Sequence, residues 1–196
     1  MTNIIRSARI DDIQHIVKFV EMASGGITHF LVEDLVEEMT SADLIEMILN
    51  DETTPLYYEN FLVAEDDGKI VAASNFYSAE EHQLSEIMAT FIAEEKLKVI
   101  EPYLNSRIPN SLYIHTLSVL PSYRHITVGF NLCRKIEKIA QEKSFGSLSA
   151  HVWNGNKLVL NALKLLGFVA IQHLNIPNHP LFEYEGGMVL LKKEIN

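Results

Sequence analysis

Apolar residues in the first 50 positions recur at helical spacing after one short apolar run. The run Ile4–Ala8 predicts a strand, and either Asp11 or Asp12 is placed to cap the helix that follows. The apolar stripe of this helix consists of Ile13, Ile16, Val17 and Val20. The sequence Ser24-Gly25-Gly26 ends it, because adjacent glycines break a helix. A second helix is predicted over about Val32–Leu49.

The middle of the chain predicts a hairpin followed by an insertion. The runs Phe61–Glu65 and Ile70–Tyr77 flank Asp66-Asp67-Gly68-Lys69, and Asp and Gly tolerate the positive φ that a tight turn needs. Residues from about Ser78 to Pro109 are predicted to leave the sheet as a helical insertion that ends near Pro102 and Pro109. The helical stripe of this insertion is Leu84, Ile87, Met88 and Phe91.

The second half predicts strands alternating with helices. The strands are expected at Leu112–Leu120, Ser147–Trp153, Val169–Leu174 and Met188–Lys192. One helix has its apolar face at Leu132, Cys133, Ile136, Ile139 and Ala140. Another covers Asn156–Leu166, with Gly167 positioned as its C-terminal cap. This order predicts an α/β domain of mixed α+β character, a single domain over 1–196 with a helical insertion at about 78–110.

Composition narrows the class of protein. The 196 residues are 47% hydrophobic and 21% charged, which is typical of a globular domain, and they carry a net charge of −10. No cluster of Lys and Arg predicts a nucleic-acid surface, and no apolar run or N-terminal leader predicts a membrane or secretory segment. The cytoplasm is therefore the expected location. The acidic balance favours a cationic acceptor such as an amine, and the histidines lack metal-ligand spacing, so no metal is expected.

Two motifs stand at a characteristic distance in the second half. The first is Leu117-Ser118-Val119-Leu120-Pro121-Ser122-Tyr123-Arg124-His125-Ile126-Thr127-Val128-Gly129, and the second is Asn156 followed by Gly167-Phe168. Together they resemble the acyl-CoA signatures of the GNAT acetyltransferase superfamily, in order and in spacing. The resemblance extends from Ile5 to Lys192 and leaves Ser78–Pro109 as the atypical segment.

The resemblance implies a fold and an activity. The GNAT fold has a central mixed, mostly antiparallel sheet of six to seven strands with a splayed parallel pair, flanked by helices. The implied activity is an acetyl-CoA-dependent N-acetyltransferase, in which a primary amine of a small molecule or peptide attacks acetyl-CoA directly in a ternary complex. The resemblance also implies that the chain can form a homodimer.

The resemblance also implies which residues bind the coenzyme. The first turn of a helix offers unpaired N–H groups and the positive end of the helix dipole to a pyrophosphate. Free main-chain groups on the splayed strand would pair with the pantetheine and polarise the thioester. The implied binding residues are Leu117, Ser118, Val119, Arg124, His125, Ile126, Thr127, Val128, Gly129 and Asn156.

Two positions depart from the family pattern. Thr127 replaces the first glycine of the loop, and a β-branched residue is poorly suited to positive φ or to close approach of a phosphate. We therefore expect weakened coenzyme binding. Leu163 stands where many members carry a tyrosine that protonates the leaving thiolate, although a thiolate is itself a good leaving group.

By the same resemblance, His115 and His151 are the candidates for a general base that deprotonates the amine. His115 lies on the strand that leads to the thioester, and His151 on the next strand. Both can equally be hydrogen-bonded histidines that line a core or cleft. Two other functions stay open at this stage: a non-catalytic acyl-CoA-binding or regulatory protein on the same fold, and a protein-interaction module that uses Ser78–Pro109.

Overall fold

The computed structural model describes residues 4–34, 39–84, 92–124 and 127–195. Its strands are β1 Ile4–Ser7, β2 Phe61–Asp66, β3 Lys69–Ser78, β4 Ser111–Val119, β5 Ser147–Trp153, β6 Val169–Leu174 and β7 Met188–Glu194. Its helices are α1 Ile13–Ser24, α2 Ile27–Val32, α3 Ser41–Leu49, α4 Glu94–Asn105, α5 Val128–Glu142 and α6 Lys157–Leu165. The predicted strands are confirmed, with bounds shifted by at most two residues.

The seven strands form one mixed sheet in the order β1-β2-β3-β4-β5-β7-β6. Every neighbouring pair is antiparallel except β4 and β5, which are parallel. This confirms the predicted fold class. The β2–β3 hairpin turns at Asp67 and Gly68, whose φ angles are 48° and 77°, as the Asp-Gly sequence predicts.

Helices cover both faces of the sheet. On one face, the apolar side of α5 packs with α6 residues against the inner strands, and the core here includes Leu112, Ile114, Leu132, Ile136, Leu148 and Val189. On the other face, α1 and α3 pack over β2 and β3, while α2 packs near Trp153 and Ile100 of α4. We call these the α5 face and the α1 face. Among the described residues, no helix is long and apolar enough to cross a membrane.

Two local predictions are wrong, and one helix is missing from the prediction. The predicted helix Val32–Leu49 is interrupted, because Thr40 is extended and its side chain caps α3 by accepting a hydrogen bond from the N–H of Asp43; residues 35–38 lie outside the described part. Helix α2 before this break was not predicted. The Asp12 side chain does not cap α1 but accepts from the main-chain N–H of Arg9, at the start of a short 3-10 turn.

The insertion differs from its prediction in detail. Its described helix is α4, and Pro102 lies inside that helix instead of marking its end. Leu84 lies outside the described helices, and Ile87, Met88 and Phe91 of the predicted stripe lie outside the described residues. The division into one domain with an insertion at about 78–110 stays a prediction.

The end of α1 fixes a large side chain of β5. Gly25 ends the helix with φ 57°, and the buried Trp153 donates from Nε1 to the carbonyl oxygen of Ser24 at 3.1 Å. A Cβ placed on Gly25 would lie 2.3 Å from that same Nε1. Glycine is therefore required here both for its backbone angle and for space.

We expect Gly25→Ala to lower the free energy of unfolding by about 2–5 kcal/mol, because strain at positive φ adds to a clash in the interior. Gly68→Ala is the matched control, since Gly68 has φ 77° but open space around its Cβ position. It should cost about 1 kcal/mol. Denaturant unfolding of both variants measures this difference, and equal losses would contradict the clash.

Candidate active site

The parallel strands β4 and β5 separate part-way along their length. Their pairing runs from Ser111 and Ser147 to Ile114 and Ala150 and stops there. Beyond this point β4 continues to pair with β3, and β5 with β7. The edge of β4 that faces β5 therefore carries main-chain groups without a strand partner from His115 onward. This gap is the splayed parallel pair that the family resemblance implies.

A β-bulge lies at the mouth of the gap. In the β3–β4 register Ile114 is opposite Phe76 and Thr116 is opposite Asn75, so His115 is an extra residue with no partner on β3. Bulges bend a strand and redirect side chains. The gap and the bulge thus coincide at His115.

The loop after β4 leads to the N-terminus of α5. Thr127 precedes the helix with φ −72° and ψ 12°, and its side chain caps no main-chain group. The first-turn N–H groups have no acceptor within the helix. Arg124 donates from Nε to the carbonyl oxygen of Val119 at 3.1 Å, which holds the exposed guanidinium between the end of β4 and the helix. His125 and Ile126 lie outside the described residues.

A cavity of about 910 Å³ runs through this region. Of the predicted binding residues, those that line it are Leu117, Ser118, Val119, Arg124, Gly129 and Asn156. Thr127 is exposed beside the cavity, and the Val128 side chain is buried in the core, so only its main chain can serve a ligand. A Cβ on Gly129 would reach only the Val119 side chain, at 3.4 Å.

Asn156 begins α6 on the far side of the gap. Its Oδ1 accepts from the main-chain N–H of Val159 at 3.3 Å, so the side chain caps the helix. The same residue lines the cavity. Its amide NH₂ is then the group left for a ligand.

Both candidate histidines line the cavity but differ in their hydrogen bonds. His151 is bonded at both ring nitrogens: Nε2 lies 2.8 Å from Ser106 Oγ, and Nδ1 lies 2.9 Å from the Tyr113 hydroxyl. Ser106 Oγ donates to the carbonyl oxygen of Tyr103, so it accepts from His151 Nε2–H, and Nδ1 accepts from Tyr113. His115 has one described side-chain hydrogen bond, between Nδ1 and Thr116 Oγ1 at 3.0 Å.

Comparison with known proteins settles the family. Residues 27–168 match the acetyltransferase (GNAT) family. The chain belongs to this family. Among curated protein sequences, none matches it.

Solved GNAT structures share the whole fold at low sequence identity. An N-acetyltransferase from Staphylococcus aureus Mu50 is 21% identical, with a TM-score of 0.70 over 96% of this chain and 99% of that one. The PaiA N-acetyltransferase from Thermoplasma acidophilum in complex with coenzyme A is 16% identical, with a TM-score of 0.56 over 99% of each chain. The NatC complex bound to Gag peptide and CoA contains a chain that is 15% identical, with a TM-score of 0.56 over 100% of each chain.

Within this GNAT frame, the two departures from the family pattern have different consequences. The φ of −72° at Thr127 is open to any residue, so this backbone does not need the positive φ to which threonine is poorly suited. The expected obstruction of a phosphate by its side chain, and with it weaker coenzyme binding, stays a prediction. Leu163 is buried and lines the cavity, and no acid stands at that position.

Cys133 also lines the cavity, where burial raises the pKa of its thiol to about 12 and keeps it protonated.

The sequence did not single out the ring cluster that His151 joins. On the α1 face, the rings of Tyr77, His82, Tyr103, Tyr113, His115 and His151 lie in mutual contact. His82 donates from Nε2 to the carbonyl oxygen of Tyr103, and its Nδ1 accepts from the Tyr77 hydroxyl, both at 3.2 Å. The contacts with Tyr103 and Ser106 tie the insertion to the sheet. No motif marks these residues, because they meet only through the bulge, the gap and α4.

Burial keeps the imidazoles of this cluster uncharged. It lowers the pKa of His82 to about 4 and that of His115 to about 3, and it holds the pKa of His151 well below its usual value. Burial likewise raises the pKa of Tyr103 to about 12. The cluster is therefore a neutral surface at pH 7.

The low pKa of His82 predicts acid-sensitive folding. Between pH 7 and pH 5 the unfolded chain, with an ordinary histidine pKa near 6.5, takes up a proton that folded His82 excludes, so stability falls as the pH falls. We expect His82 to account for about 2 kcal/mol of this loss.

Denaturant unfolding at pH 7 and pH 5 measures the effect. His82→Gln should lose less stability on acidification than the wild type, while His15→Gln, at an exposed position of α1, should follow the wild type. An unchanged pH dependence in His82→Gln would refute the assignment.

Proposed function

We propose that this chain is an N-acetyltransferase that moves the acetyl group of acetyl-CoA to a primary amine of a small molecule or peptide by direct attack in a ternary complex. The observation that carries the proposal is the gap between β4 and β5, which opens in front of the N-terminus of α5 in a chain of the GNAT family. The complexes of PaiA with coenzyme A and of NatC with Gag peptide and CoA support both the coenzyme and this class of acceptor.

The residues present fit the coenzyme. The first turn of α5 presents unpaired N–H groups, and the Arg124 guanidinium beside it supplies a positive charge for a diphosphate. The unpaired edge of β4 and the Asn156 amide border the cavity where a pantetheine arm would lie. Acetyl-CoA supplies a thioester whose carbonyl carbon the amine attacks.

The neutral ring cluster bears on the protonation state in which an amine can bind. Desolvation that holds three imidazoles uncharged also disfavours an ammonium ion at the same place. We therefore propose that the amine reacts in its uncharged form. His115 is the proposed catalytic side chain, since it stands at the gap with one ring nitrogen unengaged among the described residues. His151, bonded at both nitrogens, is proposed to hold the cluster together.

A specific observation favours a second candidate, a non-catalytic acyl-CoA-binding protein. Leu163 lines the cavity where an acid is common in the family, and it cannot protonate a thiolate. Tight binding of CoA without turnover on any amine would support this candidate. A cytoplasmic location and a homodimer stay predictions from the sequence.

We expect Arg124→Ala to weaken CoA binding by roughly tenfold or more, because a charge-assisted hydrogen bond to a phosphate contributes about 1.5–3 kcal/mol. Arg134→Ala is the matched control, since Arg134 is exposed further along α5. Isothermal titration with CoA measures both affinities. Equal affinity in the two variants would remove Arg124 from the binding site.

We expect His115→Ala to lower kcat for acetyl transfer by roughly 10²–10³-fold while CoA affinity stays within about twofold of the wild type. The measurement is the release of free CoA thiol from acetyl-CoA with a panel of amines and peptides. Undiminished turnover would exclude a catalytic role for His115.

A further inference from the structure

The bulge in β4 places two successive side chains on the same face of the sheet. Leu112 and Ile114 pack in the core of the α5 face, and so do Leu117 and Val119, although a regular strand cannot put both pairs on one face. The extra residue at His115 shifts the alternation by one. His115 and Thr116 consequently both turn toward the α1 face, and His115 Nδ1 lies 3.0 Å from Thr116 Oγ1.

The surroundings of Thr116 determine which of these two atoms donates. Thr116 is completely buried, and the imidazole is the one side-chain partner of its hydroxyl among the described residues. If Nδ1–H donated, the threonine proton would be left unpaired in the interior, which is costly. If Thr116 Oγ1 donates, that proton is satisfied and Nδ1 is the acceptor.

This direction fixes the tautomer of His115. A neutral imidazole carries one proton, so Nδ1 as acceptor places the proton on Nε2. No described atom bonds Nε2, and the residue lines the cavity at the gap between β4 and β5. His115 therefore presents a hydrogen-bond donor, without a lone pair, to the space where the proposed function puts the thioester.

We propose that Thr116 is a positioning residue that holds His115 as the neutral Nε2–H tautomer, and that His115 donates to the acetyl carbonyl oxygen during attack instead of acting as the base that the sequence predicts. This inference rests on the proposed acetyl transfer. In the step, the N–C bond forms while negative charge develops on the oxygen. The C–S bond then breaks, the charge passes to sulfur, and the amine proton reaches the thiolate through water. His115 keeps its proton throughout.

Burial supports a donor role. It lowers the pKa of His115 to about 3, so the imidazole does not become charged at pH 7 and is too weak a base to deprotonate an ammonium ion. A donor fixed in a low-dielectric site stabilises a developing oxyanion without reorganising. Neutral histidines serve as donors to carbonyl groups in other enzymes.

Two substitutions of His115 distinguish the role of hydrogen-bond donor from that of general base. His115→Gln retains an N–H donor and cannot accept a proton, and its expected kcat lies within about tenfold of the wild type. His115→Ala, which loses the donor, is expected to fall by roughly 10²–10³-fold. Equal impairment of the two variants overturns the donor role.

The tautomer is measured independently of activity by ¹⁵N NMR of histidine-labelled protein at pH 7. The wild type and Thr116→Ser should show His115 as Nε2–H, and the isosteric Thr116→Val should show a mixture together with a kcat lowered by roughly tenfold at unchanged CoA affinity. Thr116→Ser should restore kcat. An Nδ1–H tautomer in the wild type, or wild-type kcat in Thr116→Val, overturns the inference. Failure to turn over any amine would instead refute the proposed function, while the spectrum would still report the tautomer.

Discussion

Main-chain hydrogen bonding along β4 determines where the rest of the candidate site lies. The strand pairs with β3 along its length but with β5 only as far as Ile114 and Ala150. Main-chain groups without partners are costly away from water, so an opening of this kind persists where water or a ligand in the cavity can satisfy them. The helix N-terminus after the strand and the Asn156 amide across the gap border the same opening. One interruption of the β4–β5 hydrogen bonding therefore organises both the proposed coenzyme side and the proposed acceptor side of the cavity.

Much of the fold could be predicted from the sequence, because its signals are local. The Asp67-Gly68 turn, the stripe around Leu132 and Ile136, and the cap at Gly167 each follow from a few adjacent residues. The break before α3 could not be predicted from apolar spacing. Thr40 begins a new helix by accepting a hydrogen bond from the N–H of Asp43, while the apolar residues before and after it keep helical spacing in the sequence. Likewise, the φ of Thr127 depends on how the loop meets α5, which its residue type does not reveal.

The candidate site was predictable only along β4 and the α5 loop. His115 and Arg124 lie where the family resemblance places them, at the gap and beside the helix. The sequence could not show that His151 is bonded at both nitrogens, because its partners Ser106 and Tyr113 come from the insertion and from another strand. Nor does the two-residue alternation of a strand reveal a bulge. It would put the side chains of His115 and Leu117 on one face of the sheet, whereas His115 turns toward the α1 face and Leu117 packs on the α5 face.

The bulge and the burial of the ring cluster act together on His115. A solvated imidazole at the same position would titrate near neutral pH and could serve as a base. Here the contacts with Tyr77 and Tyr113 cover part of the half-buried ring and lower its access to water, and the shift in alternation adds the hydroxyl of Thr116 at Nδ1. Desolvation disfavours the charged imidazolium of His115, and the hydrogen bond from the Thr116 hydroxyl favours the Nε2–H tautomer over the Nδ1–H tautomer. His115 is then a neutral hydrogen-bond donor at the point where β4 and β5 separate. The sheet therefore opens the site and also determines the tautomer of its central side chain.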